Sequence, residues 1–149
     1  MTHKKILTSL TLIINAALAT ATTQAATKPI FACTATDGNP IIIEKSDMNY
    51  ILSYKKLKIS NAVKDIMQRN NSIIASRSGY VLYSLEFEDK QDSYYVQYRE
   101  SMGDAKPMFA GIFKVAPNAT PKEFAVCDLK KTIKSNFEIS LMQQSGNGY

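Results

Sequence analysis

Between Tyr80 and Arg99 the chain alternates in a way that suits an extended backbone. Val81, Tyr83, Leu85 and Phe87 fall on one face of a strand, and Tyr80, Leu82, Ser84 and Glu86 on the other. Glu88 to Asp92 is a polar turn. Ser93 to Arg99 then alternates again, with Tyr94, Val96 and Tyr98 facing one way and Tyr95, Gln97 and Arg99 the other. A helix would scatter both sets around its axis, because its side-chain period is 3.6 rather than 2. The segment predicts a long antiparallel hairpin.

Shorter runs supply further strands. Pro29 to Thr34 is apolar and leads to the turn signal Asp37-Gly38. The β-branched run Ile41 to Ile43 is closed by Ser46-Asp47-Met48-Asn49, and Tyr50 to Tyr54 follows, which predicts a meander. Met108 to Val115 and Phe124 to Cys127 complete the series, separated by a proline-flanked loop from Ala116 to Lys122. Two stretches depart from this pattern. Ser60 to Asn71 has Val63, Ile66 and Met67 at helical spacing with Ser60 placed as N-cap, which predicts one short helix. Asp128 to Met142 sets Leu129, Ile133, Phe137 and Leu141 four apart, as in a terminal helix, while Phe137, Ile139 and Leu141 also alternate, as in a last strand. The expected fold is mostly β: a small antiparallel barrel or sandwich with one short helical insert and a C-terminal element of either kind.

The first residues obey another rule. Met1 to Lys5 carries two lysines, Ile6 to Ala21 is apolar and uncharged, and small residues follow to Ala26. That order describes a secretory signal peptide, cut after Ala25 or after Ala21. A retained anchor would need about 20 strongly apolar residues without the polar interruptions seen here. Lys28, Pro29 and bulky Phe31 argue against lipid attachment at Cys33. Residues 1–25 are therefore read as signal, 26–142 as a single β domain and 143–149 as a flexible tail. Loss of Lys4 and Lys5 takes the formal net charge from +5 to +3, and loss of His3 removes the only histidine. So mild a charge makes no case for nucleic acid. No other stretch is apolar for long enough to span a membrane.

Two cysteines remain, Cys33 and Cys127, near the two ends of the domain. In an oxidising compartment an even count reads as one disulfide, the alternative being two reduced buried thiols. Without histidine, Ser-His-Asp and Cys-His sites cannot be built, nor can histidine-based zinc sites, and two distant cysteines make no thiolate site. No glycine-rich loop follows a strand and opens a helix. No cofactor and no metal are expected. Glu86 and Glu88 share a strand face, with Asp89 and Asp92 in the next turn. Paired carboxylates can hydrolyse glycosides, but such a pair on a polar hairpin face is ordinarily solvated, and the chain is read as a non-enzyme. The clusters Lys55, Lys56, Lys58 and Lys130, Lys131, Lys134 read as solvated faces or as contacts with an anionic partner. Tyr80 and Tyr95 lie on the polar faces of the hairpin with Arg99. Exposed tyrosine beside arginine is favoured at protein interfaces, and also packs across strands on sheet surfaces.

Phe31-Ala32-Cys33, the Asp37-Gly38 turn, a following strand and a closing Cys127 resemble small exported bacterial proteins of the periplasmic lysozyme-inhibitor type. The segment Ala75-Ser76-Arg77-Ser78-Gly79-Tyr80 is similar to that family's Ser-Gly loop, which ends in an aromatic residue. The resemblance implies an antiparallel β-barrel whose loop serine and a later lysine enter the lysozyme cleft and pair with its catalytic acids. By position Ser78 matches the serine, and Lys90 is the nearest candidate for the lysine. The expectation is an exported periplasmic protein that binds and neutralises a cell-wall-degrading enzyme, as a lysozyme inhibitor or an effector immunity protein. Its partner would be a peptidoglycan hydrolase or toxin, and Ser78, Gly79, Tyr80, Lys90, Tyr95 and Arg99 its binding residues. The alternative is a small-ligand carrier that uses the barrel interior.

Overall fold

The alternating segment forms the hairpin it predicts, and the rest of the chain is arranged around it. The computed structural model describes residues 28–144, so the expected signal segment lies outside the described residues. Strands run β1 (Phe31–Thr34), β2 (Pro40–Ser46), β3 (Asn49–Tyr54) and β4 (Leu57–Ala62), followed by helix α1 (Val63–Gln68). After the helix come β5 (Ile73–Arg77), β6 (Tyr80–Asp89), β7 (Asp92–Ser101), β8 (Pro107–Val115), β9 (Lys122–Val126), β10 (Lys134–Ser135) and β11 (Gln143–Gln144). One sheet has the order β10-β1-β2-β3-β4 and the other β11-β5-β6-β7-β8-β9. Neighbours are antiparallel throughout except β11, which joins β5 in parallel. The two sheets pack face to face and do not close into a barrel.

Period-2 patterning decides which side chains enter the core. From the first sheet come Phe31, Cys33, Ile41, Ile43, Tyr50, Leu52, Tyr54 and Ile59; from the second come Leu85, Phe87, Tyr94, Val96, Tyr98, Ala110 and Ile112. These inward positions form one hydrophobic core between the two sheets.

Both seams between the sheets are closed by specific chemistry. At one, Cys33 and Cys127 form the disulfide, 94 residues apart in sequence. Around it Ala35 bridges Cys127, Thr36 N donates to Val126 O at 2.8 Å, and Asp128 N donates to Thr34 O at 2.8 Å. At the other seam, β5 covers β6 only as far as Ser84. Side chains satisfy the next stretch of that edge. Ser72 Oγ accepts from Glu86 N at 2.9 Å, and Arg69 Nη1 donates to Glu86 O at 2.9 Å. Asn61 Oδ1 accepts from Glu88 N at 2.8 Å while its Nδ2 donates to Glu88 O at 3.1 Å. Unpaired backbone groups would be costly there, and these four bonds stand in for a strand.

One local expectation is corrected, and one alternative left open by the sequence is decided. Ser60 is not the helix N-cap: it lies in β4 opposite Ile51, and α1 begins after Ala62 with no side-chain cap. Pairing with β3 outweighs the local cap signal, while Val63 and Ile66 are buried as their spacing predicts. Asp128 to Met142 forms no α-helix; it holds β10 and a single 3-10 turn at Ile139–Leu141. Ile133 and Phe137 pack against the core from this irregular segment, while Leu129, Ile139 and Leu141 remain exposed. Phe137 enters between the sheets, stacking on Tyr83 at 5.5 Å and Phe31 at 5.9 Å. Gln143 and Gln144 of the expected tail pair as β11, and the remainder of that tail lies outside the described residues.

Glu138 fastens this C-terminal strap. Its carboxylate accepts from Lys45 Nζ at 2.8 and 3.0 Å and from the hydroxyl of buried Tyr50. Lys45, and then Tyr50, hold the Glu138 pKa below its ordinary 4.5. Burial, and then Glu138, push the Tyr50 phenol well above its usual value.

Replacing Cys33 and Cys127 together by alanine is expected to lower unfolding free energy by roughly 3 to 5 kcal/mol in urea titrations. Glu138→Gln is expected to cost about 1 to 3 kcal/mol. Because the folded pKa is the lower one, the stability Glu138 adds is complete above its ordinary 4.5 and fades as pH falls through the depressed value. Acid titration of the variant should therefore show a flatter decline than wild type.

Candidate functional site

Residues directly opposite each other in antiparallel strands share a face, so the register of β5 to β8 places a set of side chains together on the outside of the second sheet. One row is Arg77, Tyr80 and Ser101. The next is Ala75, Leu82, Arg99 and Phe109, then Ile73, Ser84, Gln97 and Gly111, then Glu86, Tyr95 and Phe113. The outer face of a sandwich sheet is ordinarily polar. This one is aromatic and basic, and on it Ala75 and Ser84 are 1% and 2% exposed, as deeply buried as core residues.

Arg99 is the centre of the face. Its guanidinium carbon lies 5.1 Å from the Phe109 ring centre and 5.8 Å from that of Tyr80, within cation–π range. Nη2 donates to Gln97 Oε1 at 3.0 Å. Its buried Nε has no hydrogen-bond partner, and neither does the buried Oγ of Ser84 on the same face. Among the described residues no carboxylate forms an ion pair with Arg99 or Arg77. Phe109 and Phe113 stack at 5.4 Å across Gly111. A Cβ on Gly111 would sit 2.4 Å from the carbonyl oxygen of Ala125, so only glycine admits the approach of β9 here.

The expected binding residues divide into two groups. Ser78 and Gly79 form the tight turn between β5 and β6, with Gly79 at φ 85°. Met102 N donates to Gly79 O at 3.1 Å, which sets this turn beside the one between β7 and β8. There Asp104 is held below its ordinary pKa by Lys106 and then Ser101. Tyr80 and Arg99 extend the same end onto the sheet face. Tyr95 shares that face, about 13 Å from Arg99 along β7 at ~3.3 Å per residue. Lys90 does not join them. It sits in the opposite turn at φ 58°, separated from Ser78 by the ten residues of β6, about 30 Å at the same rise. Ser78 and Lys90 therefore do not converge on one cleft, and the lysine at the Ser78 end is Lys106.

The acidic constellation is also dispersed among partners. Asn71 Nδ2 donates to Glu86 Oε2 at 2.9 Å and to the Tyr95 hydroxyl at 3.3 Å. Burial, and then Glu86, raise the Tyr95 pKa. Glu88 pairs with Arg69 at 3.0 Å and Asp92 with Lys114 at 2.7 Å. No group of three or more His, Cys, Asp or Glu side chains suited to a metal occurs among the described residues, and no described helix is long and apolar enough to cross a membrane. Arg77, Leu82, Phe109 and Phe113 join this face although none is among the binding residues expected from the sequence. The period-2 spacing of Phe109, Gly111 and Phe113 was the available signal.

Comparison with protein families, curated proteins and solved structures finds no match.

Gly111→Ala is expected to destabilise the protein by about 1 to 3 kcal/mol. Chemical denaturation should report the loss, and near-ultraviolet circular dichroism should report the displaced Phe109 ring.

Proposed function

We propose that this chain is an exported periplasmic protein that neutralises a cell-wall-degrading enzyme by binding it stoichiometrically, as a lysozyme inhibitor or an effector immunity protein. One observation carries the reading: Arg99 held between Tyr80 and Phe109 on a partly apolar sheet face, with no acidic partner among the described residues. Tyrosine and arginine dominate the energetics of protein interfaces. The signal-like start of the chain and the resemblance to periplasmic lysozyme inhibitors support export and the class of partner. The Cys33–Cys127 disulfide suits an oxidising compartment. The docking end is the Ser78-Gly79 turn with Tyr80 and Arg99, and Tyr95 flanks it.

The test uses the oxidised protein, immobilised and exposed to a panel of purified peptidoglycan hydrolases and wall-targeting toxins. One of them should be retained at one-to-one stoichiometry and lose activity in proportion. A combined Ser78→Ala, Tyr80→Ala variant is expected to bind roughly 10-fold or more weakly. Lys90→Ala, at the far turn, should bind within about 2-fold of wild type. Retention of none of the panel at low salt would overturn the proposal.

A further inference from the structure

We infer that the Tyr80–Arg99–Phe109 row is a carboxylate-binding site, and that its occupant is an aspartate or glutamate side chain on the surface of the protein partner. The inference rests on the binding function proposed above and names the chemistry that is bound. Within the described residues Arg99 makes one hydrogen bond, to the neutral Gln97 side chain, although a guanidinium carries five donor hydrogens. Its Nε is buried and unpartnered. A partly buried cation so poorly satisfied is costly unless a counter-charge completes it. The Tyr80 and Phe109 rings lie within cation–π range of the guanidinium, which keeps donor hydrogens beyond the one given to Gln97 for a planar anion such as a carboxylate.

A second, independent observation lies on the same face. Ser84 is 2% exposed and its Oγ also has no partner. Ser84 sits diagonally from Arg99, in the row next to it. Among the described residues no carboxylate pairs with Arg99, and those on or beside this face have other partners. Glu86 is engaged by Asn71, Glu100 accepts from Tyr83 at 2.8 Å, and Asp104 is paired with Lys106 at 2.6 Å. Arg77 adds a second cation at this end, with no acidic partner among the described residues.

The surroundings favour a protein over a free anion. Tyr80, Leu82 and Phe109 flank the arginine with half-buried apolar surface, Phe113 extends it through its stack on Phe109, and Met102 and Met108 stand exposed at the adjoining end. A small anion would leave that surface wet. A protein that presents a carboxylate ringed by apolar side chains would cover it, and aromatic residues, methionine and arginine are the types that interfaces enrich.

The experiment takes the hydrolase or toxin that wild type retains and measures its affinity for wild type, Arg99→Gln and Arg99→Lys. Arg99→Gln is expected to weaken binding by roughly 30-fold or more, with an unchanged melting temperature. Arg99→Lys keeps the charge but not the fork, and should recover only part of the affinity. In parallel, surface carboxylates of the partner are amidated with carbodiimide and glycinamide, free and in complex. At least one should be shielded by wild type, and amidation of the free partner should abolish binding. This second measurement decides the matter should Arg99→Gln fail to fold. Retention of a partner that binds Arg99→Gln as tightly as wild type, or that binds equally well after amidation, overturns the carboxylate site and leaves the binding function standing. Retention of no partner overturns both.

Discussion

Satisfying both edges of strand β6 is the constraint on which the rest of the fold depends. One edge is simple, because β7 covers all ten residues of it. The other is shared between β5 and side chains, and the handover at Ser84 draws three separate parts of the chain to one place. Asn61 brings the end of β4, Arg69 the residue after α1, and Ser72 the approach to β5. Since β4 belongs to the first sheet and β6 to the second, this hydrogen bonding is also a joint between layers. It explains why a six-residue helix, too short to be stable by itself, is worth keeping at that point. It positions Arg69 and Ser72.

The opposite seam uses covalent chemistry and aromatic packing for the same purpose. The disulfide fixes β1 to the end of β9, and the C-terminal strap then crosses from β10 on the first sheet to β11 on the second. Phe137 fills the gap on the way, and Glu138 ties the strap to Lys45 and Tyr50 of the first sheet. With both seams held, the outer face of the second sheet is not needed to join the layers. It can carry Arg99, an unsatisfied cation, and the unpartnered hydroxyl of Ser84. Stability of this kind is what allows a surface to remain costly to the free protein and favourable once covered.

Much of this was legible in the residues, and the failures have physical causes. Period-2 alternation is a strong signal, and β6 and β7 obey it along their length. The cysteine pairing followed from there being only two. Strand β4 was hidden because Lys58, Ser60 and Asn61 give it no apolar run, and its place is set by pairing with β3. The terminal segment carried two periodicities at once, and only the cavity between the sheets decides that Phe137 turns inward while Ile139 and Leu141 do not. Tyr80 and Arg99 could be assigned to one face from the hairpin alone. Adding Phe109 required the register between β7 and β8, including the irregularity after Arg99, which the sequence does not express. Lys90 is near Ser78 only along the chain, and the intervening strand converts that proximity into distance.

The proposed contact places a wall-degrading enzyme over the outer face around Arg99. Side-chain and backbone NMR of the labelled protein, with and without the retained partner, tests it most directly. The Arg99 Nε–H resonance and the amides of Tyr80, Leu82 and Phe109 should shift on binding, while the Lys90 turn and the Cys33–Cys127 seam stay in place. Shifts concentrated at the Lys90 turn or around Cys127, with Arg99 unchanged, would contradict it.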